Sequence, residues 1–294
     1  MVQNKTLGSR SFDVFLLLFM VVVSLLSVAP IIHTLALSLS KASFAMAGQV
    51  FLWPKGFDIS SYQKVFTDKQ FFLSFWVSVK RTVTYTGFSL LVTVLMSYPL
   101  SRETRQFKSR NVYMWVFVFV MMFNGGLVPT YLTIKSLGMM NNFWVLILPG
   151  LVNVYNAILV MNFFRNLPKE LDESAGMDGA GAWRKLVLIY LPLSLPVLAT
   201  ITLFNVVTTW NEYFSAMIYV TKSNLIPLQT YLQQVVVTID PTKITTENVS
   251  QLTKVSSETL NSAKIAVTML PILIIYPLLQ RYFITGITMG SVKE

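Results

Sequence analysis

The sequence predicts an all-α, polytopic membrane protein with six transmembrane helices. Composition is the first reason. The chain of 294 residues is 54% hydrophobic and only 12% charged, about half the charged share of a soluble domain. The second reason is the distribution of charge. Runs without Asp, Glu, Lys or Arg cover 14–40, 82–101, 111–134, 136–164, 186–211 and 265–280. A helix needs about 20 apolar residues to cross a hydrocarbon core roughly 30 Å thick. Five runs reach that length. The sixth is short, but Lys264 and Arg281 at its ends can extend it by snorkelling.

The first run, 14–40, follows Lys5 and Arg10 and precedes an Ala-Met-Ala at 45–47, the order of parts in a secretory signal. The apolar region of a signal spans about 7–15 residues, and this run is longer, so a retained first span is expected. Residues 1–13 then form a short terminus and 41–72 the first loop. A core of five further spans is expected over 73–285, with a tail at 286–294.

Topology follows from the cations. The short loop 101–110 holds Arg102, Arg105, Lys108 and Arg110 against a single acid, Glu103. Together with Lys5 and Arg10 it is expected on the cytoplasmic side by the positive-inside rule. Both termini and the segment 164–191 then share that side, and loops 41–72 and 221–262 lie outside. Lys80 and Arg81, at the outer end of the second span, run against the rule. In the outer segment 221–262, "LQTYLQQVVVTI" has the pattern of either a short helix or a strand. Prolines 30, 99, 129, 149, 192, 196, 271 and 277 fall in or beside the spans. Proline removes a backbone bond and kinks a helix, which membrane helices tolerate when neighbours take up the freed carbonyl. Gaps along a solute path and ordinary membrane-helix composition both account for them.

Several functions are set aside. There is no cysteine, hence no disulfide or thiolate site, and one histidine, His33, is too few for a His-based metal site. No Gly-x-x-x-x-Gly-Lys-Ser/Thr stretch is present, so the chain is not expected to hydrolyse ATP itself. No catalytic, metal or cofactor residue is expected. The net charge of +10 suits anionic lipid headgroups rather than nucleic acid, because the cations flank apolar runs.

The most polar passage, "ELDESAGMDGAGAWRKLVLIYLPLSLP" from Glu170 to Pro196, interrupts the apolar chain between the fourth and fifth runs. A helix is expected over about 168–178, with Asn166 as cap, Pro168 in its first turn and Glu170 near its positive end. Gly176, Gly179 and Gly181 should end it, Gly179 by allowing positive φ. A second helix is expected from about Ala180, carrying Trp183, Arg184 and Lys185 towards the membrane. Small side chains allow a partner to approach closely, and exposed acids can pair with its arginines.

This passage resembles the cytoplasmic loop of binding-protein-dependent ABC importer permeases. That loop reads E-A-A, three residues, G, nine residues, I-x-L-P. Glu173, Ser174 and Ala175 match the triplet with Ser for the first Ala; Gly179, Ile189, Leu191 and Pro192 follow at the same spacing. The stretches 124–150 and "WNEYFSAMI" at 210–218 are similar to the carbohydrate class, particularly its polysaccharide and complex-oligosaccharide branch.

The resemblance implies a type I ABC importer permease fold and an ATP-driven sugar importer in a bacterial cytoplasmic membrane. The chain would form half of the pathway with a second permease subunit. Two ATPase subunits would bind ATP and Mg, and an extracellular solute-binding protein would deliver the saccharide. The ATPase-docking residues implied are Asp172, Glu173, Ser174, Ala175, Asp178, Gly179 and Arg184.

Polar residues elsewhere carry two readings. Asn153, Tyr155 and Asn156, with Asn205 and Thr209, either line a sugar path or join helices by hydrogen bonds. Asn211 and Glu212, beside Trp210, either form an outer gate or contact with the binding protein, or anchor the helix at the interface. Three rivals remain for the whole chain: a permease for a non-sugar solute, an ion-coupled secondary transporter and a membrane-embedded enzyme. The second would need buried charges in mid-span, of which the runs offer almost none; the third would need a catalytic His, Asp or Glu cluster near one face, and the acidic cluster fits the docking pattern instead.

Overall fold

The computed structural model describes residues 7–237 and 257–290. The chain divides into two units, Met1–Lys69 with Val235–Leu270, and Gln70–Gln234 with Pro271–Glu294. The secondary structure described is helical, with one isolated bridge between Ser40 and Phe57.

In the first unit, α1 (Leu7–Ser38) holds Pro30 in its interior. Its side chains from 11 to 28 are all exposed and almost all apolar, which suits a helix that meets lipid or another chain. The expected loop 41–72 is structured. It contains α2 (Ala42–Met46) and α3 (Ser60–Thr67), and α4 begins at Lys69. The segment folds back on the end of α1: His33 Nδ1 lies 2.7 Å from the Phe51 carbonyl, and Ser38 Oγ 2.7 Å from the Tyr62 hydroxyl. A turn at Gly56 (φ +61°) lets its backbone sit against the Phe44 ring, where a Cβ would approach to 2.9 Å. The last helix, α14 (Ser257–Gly290), starts well before the charge-free run. Lys264, expected to snorkel outward, is instead buried and paired with Asp68 at 3.0 Å. The side chain of Arg281 and the segment 238–256 lie outside the described residues.

In the second unit, α4 (Lys69–Ser101) contributes a buried stripe of Ser74, Ser78, Thr82, Thr86, Ser89, Thr93 and Ser97. Steps of three and four put these small side chains on one face, so neighbouring backbones approach closely. Ser97 Oγ, for example, donates to the Ala157 carbonyl at 2.8 Å. Two apolar clusters flank the stripe. One joins Val94, Tyr98, Val160, Phe164, Leu186, Tyr190 and Ile201; the other joins Leu100, Phe117, Val154, Ala157 and Met161.

Among the described residues, three single helices are long and apolar enough to span, or up to six if three bent pairs each count once. The expectation of six spans therefore holds only with three of them broken. The third run is α5 (Arg110–Met122) and α6 (Leu127–Ser136), bent by 115°. With 13 residues α5 is about 20 Å long. The break has a local cause: Gly126 has φ +84°, and its N–H donates to Asn124 Oδ1 at 2.9 Å. The fourth run is not one continuous α-helix. Two 3-10 turns, Phe143–Leu146 and Leu148–Gly150, precede α7 (Val154–Arg165), at a bend of 51°. Pro149 cannot donate into a continuing helix.

The fifth run bends by 79° at Ser194 between the segment 182–193, whose last turn is α10 (Leu191–Leu193), and α11 (Leu195–Asn211). Before the bend a π-helical turn occupies Leu186–Tyr190. The ring of Pro192 would clash with the carbonyl four residues back, and a wide turn relieves that clash. Then come α12 (Phe214–Tyr219) and α13 (Leu228–Val237), the latter deciding for helix in the ambiguous 228–239 stretch as far as 237.

Candidate functional site

The helix α8 (Lys169–Met177) and the short helix α9 (Ala182–Lys185) form the expected elbow. Three details differ from the sequence reading. Asn166 ends α7 and Pro168 precedes α8, so the expected cap does not form. Gly176 lies inside α8, and the second helix starts at Ala182. The turn itself rests on Gly179, at φ +73°. Its N–H donates to the Gly176 carbonyl at 3.1 Å, and the Ala180 N–H to the Ala175 carbonyl at 2.9 Å. This is the Schellman closure of a helix, which needs a left-handed residue at that position.

Of the expected docking residues, Glu173, Ser174, Asp178, Gly179 and Arg184 are exposed, and Ala175 is half-buried. Two large apolar side chains join them on the elbow's surface: Met177 is 90% exposed and Trp183 69%. Asp172 is different. It was expected to face a partner's arginine, but its own chain takes up the carboxylate. Arg102 Nη1 lies 2.8 Å from Oδ1 and Lys185 Nζ 3.3 Å from Oδ2. The Tyr190 hydroxyl donates to Oδ1 at 3.3 Å. Burial alone raises the Asp172 carboxyl, but the bond from Arg102, its charge and Lys185 outweigh that and hold it below its ordinary value. Beside it, an exposed ion pair joins Lys169 to Glu103 at 2.7 Å. The elbow and the basic loop 101–110 thus lie at the same end of the second unit.

A second cluster surrounds Arg81, a residue that the sequence reading noted only as a charge against the topology rule. Its guanidinium is buried and pairs with the Glu212 carboxylate. It also donates to the Glu212 carbonyl at 3.0 Å, to Ser215 Oγ at 3.1 Å and to the Leu146 carbonyl at 3.3 Å. Glu212 Oε1 accepts the Ser215 N–H at 2.7 Å and so satisfies a first-turn donor of α12. A cavity of about 370 Å³ lies alongside, lined by Arg81, Tyr85, Thr208, Thr209, Glu212 and Tyr219 among others. Lys80, the neighbouring cation, sits 4.6 Å from the centre of the Phe143 ring. Both charges are engaged within the chain, Arg81 by an ion pair and Lys80 by an aromatic ring.

The remaining path candidates do not converge on this cavity. Asn153 caps α7 by accepting the Asn156 N–H at 3.1 Å. Asn156 is buried and donates to Asn205 Oδ1 at 3.0 Å, the interhelical bond that was the alternative reading. Tyr155 and Asn211 are exposed. Only Thr209 and Glu212 of the group share the cavity. The sign that would have found Arg81 was present: Arg81 and Glu212 each border a long charge-free run, and a buried charge of one sign calls for the other.

Residues 70–289 match the family described as binding-protein-dependent transport system inner membrane component. The sequence is 39% identical to Protein LplC of Bacillus subtilis (strain 168), over 99% of this chain and 98% of that one. It is 37% identical to the polygalacturonan/rhamnogalacturonan transport system permease protein YtcP of the same organism, over 97% of this chain and 99% of YtcP. Among solved structures, a chain of a bacterial ABC transporter involved in the import of the acidic polysaccharide alginate matches with TM-score 0.86 and 32% identity, covering 95% of this chain and 98% of that chain. A helical, membrane-embedded architecture, the elbow motif and these likenesses agree, and the chain belongs to the binding-protein-dependent family of ABC transporter permeases.

Proposed function

We propose that the chain is one half of a sugar-translocating pore whose motor is a separate ATPase bound at the α8–α9 elbow. One observation carries the docking assignment: Gly179 closes α8 in a left-handed turn, and on the two sides of that turn Glu173, Met177 and Asp178, then Trp183 and Arg184, are exposed. Exposed Met and Trp flanked by charges are what a docking surface offers: apolar anchors with a polar rim. The basic loop at the same end supports a cytoplasmic elbow and cytoplasmic termini in a bacterial membrane.

The reading includes a second permease subunit across the pathway, two ATPase subunits that bind ATP and Mg, and an extracellular binding protein. The substrate class is an oligo- or polysaccharide, supported by the transport activities for which YtcP and the alginate importer are named. The cavity beside Arg81, Thr209 and Glu212 belongs to the outer part of the sugar path or its gate. Its hydroxyls and its two tyrosine rings suit hydrogen bonding and stacking with sugars.

Gly179→Asp tests the assignment. The protein should reach the membrane in normal amount while ATP-driven uptake is abolished. Unimpaired uptake by this variant, or an elbow accessible to reagents only from outside the cell, would refute the docking role.

A further inference from the structure

Neither α8 nor α9 contains a buried residue, so apolar packing is not what fastens the elbow to the rest of the unit. A cavity of about 520 Å³ lies on one side of the contact, and a smaller recess of about 170 Å³ is also present; Arg102 and Asp172 line both. The polar bracket crosses between these spaces. Arg102, immediately after α4, bonds Asp172 of α8. Its guanidinium lies 4.4 Å from the Tyr98 ring centre and 4.7 Å from that of Tyr190, so it touches α4 and the π-helical turn as well. Lys185 of α9 closes the bracket by donating to the Asp172 carbonyl at 2.7 Å as well as facing its carboxylate. The side chains of Arg102 and Asp172 are 15% and 17% exposed, so water screens the pair only weakly.

We infer that Arg102 is a positioning residue for transport: its bond to Asp172 makes the end of α4 follow every displacement of α8. Lys185 and Tyr190 tie Asp172 to the segment that leads into α11, and the Lys169–Glu103 pair is exposed on both sides, so the bond from Arg102 is the shielded link between α8 and the end of α4. With it, α4 and the segment leading into α11 are driven together, as two elements of one rigid body. This rests on the reading that a separate ATPase moves the elbow.

The chain has no cysteine, so spin labels can be placed singly. Glu170 on α8 and Leu91 on α4 are both exposed and outside the bracket. In the complete transporter, the distance between labels at Glu170→Cys and Leu91→Cys should stay constant when ATP and vanadate are added. In an Arg102→Gln background it should change. The same variant should keep hydrolysing ATP while the sugar moved per ATP falls about fivefold or more, the lower range of a typical coupling factor. Arg102→Lys, which keeps the charge but loses the planar stack, should fall between; it also serves if Arg102→Gln does not assemble. A distance that responds to nucleotide equally with and without Arg102, or in neither, overturns the inference. So does an unchanged ratio of sugar to ATP, the result of a merely structural role. If the unaltered complex shows no label movement relative to the ATPase and no ATP-driven uptake, the docking reading fails instead.

Discussion

Arg81 and Glu212, 131 positions apart in sequence, form one unit in space that holds the junction between α11 and α12 against α4 and the turn at Leu146. The guanidinium uses Nε, Nη1 and Nη2 as donors within this cluster. Arg81→Met would leave Glu212 without its cation beside a buried wall. Removing one member of a buried pair costs about 3–5 kcal/mol; with Glu212 30% exposed the loss should be near the low end, about 3 kcal/mol. Unfolding of the purified protein in detergent measures it. The double variant Arg81→Met/Glu212→Gln should recover part of the loss, since no lone charge remains. Equal destabilisation by the single and double variants would mean that the pair acts only through packing.

At Gly179 nothing lies within 4 Å of an added Cβ, so a substitution there meets strain in the backbone and no clash. The left-handed conformation costs an ordinary L-residue roughly 1–2 kcal/mol, and Asn bears it more easily. ATP-driven uptake should therefore rank Gly179 above Gly179→Asn above Gly179→Ala at equal protein in the membrane. An Ala variant as active as the parent would show that the turn is not needed.

The Asp172 carboxyl sits below its ordinary value, where burial is outweighed by Arg102 and Lys185. A depressed carboxyl contributes stability that is fully present above the unfolded value of about 3.9. That stability declines as pH falls through the folded value, because the unfolded state takes up the proton first. Stability of the purified chain should thus fall on acidification below about pH 4, and Asp172→Asn should flatten that limb. Unfolding curves at a series of pH values decide it; an identical acid limb in the variant would remove Asp172 from the account.

The positions of the spans, the elbow and its glycine were legible because they depend on local terms. Charge-free length marks a span, and a helix followed by Gly at a fixed step marks a turn, whatever the rest of the chain does. The breaks at Gly126, Pro149 and Ser194 were only half legible. Proline shows where a helix is weakened, but Pro30, Pro99, Pro271 and Pro277 remain inside helices. Whether a weak point opens depends on neighbours that accept or replace the lost bond, as Asn124 does for Gly126.

The polar assignments show the same division more sharply. Asp172 and Glu173 are adjacent acids on one short helix, and no pattern along the chain separates them. Folding turns Asp172 onto Arg102 and leaves Glu173 outside, because helical geometry points neighbouring residues about 100° apart. Likewise Asn156 and Asn205 read as pore-lining or pairing residues with equal justice until α7 and α11 come together and their amides bond. Membrane residence, helical class and the helix–turn–helix elbow were therefore set by the residues in order, since hydropathy and turn chemistry act over a few positions. Which charge meets which, and so which polar groups remain for a solute or a partner, arose only when helices distant in sequence became neighbours, since a pair energy depends on a distance that no linear spacing specifies.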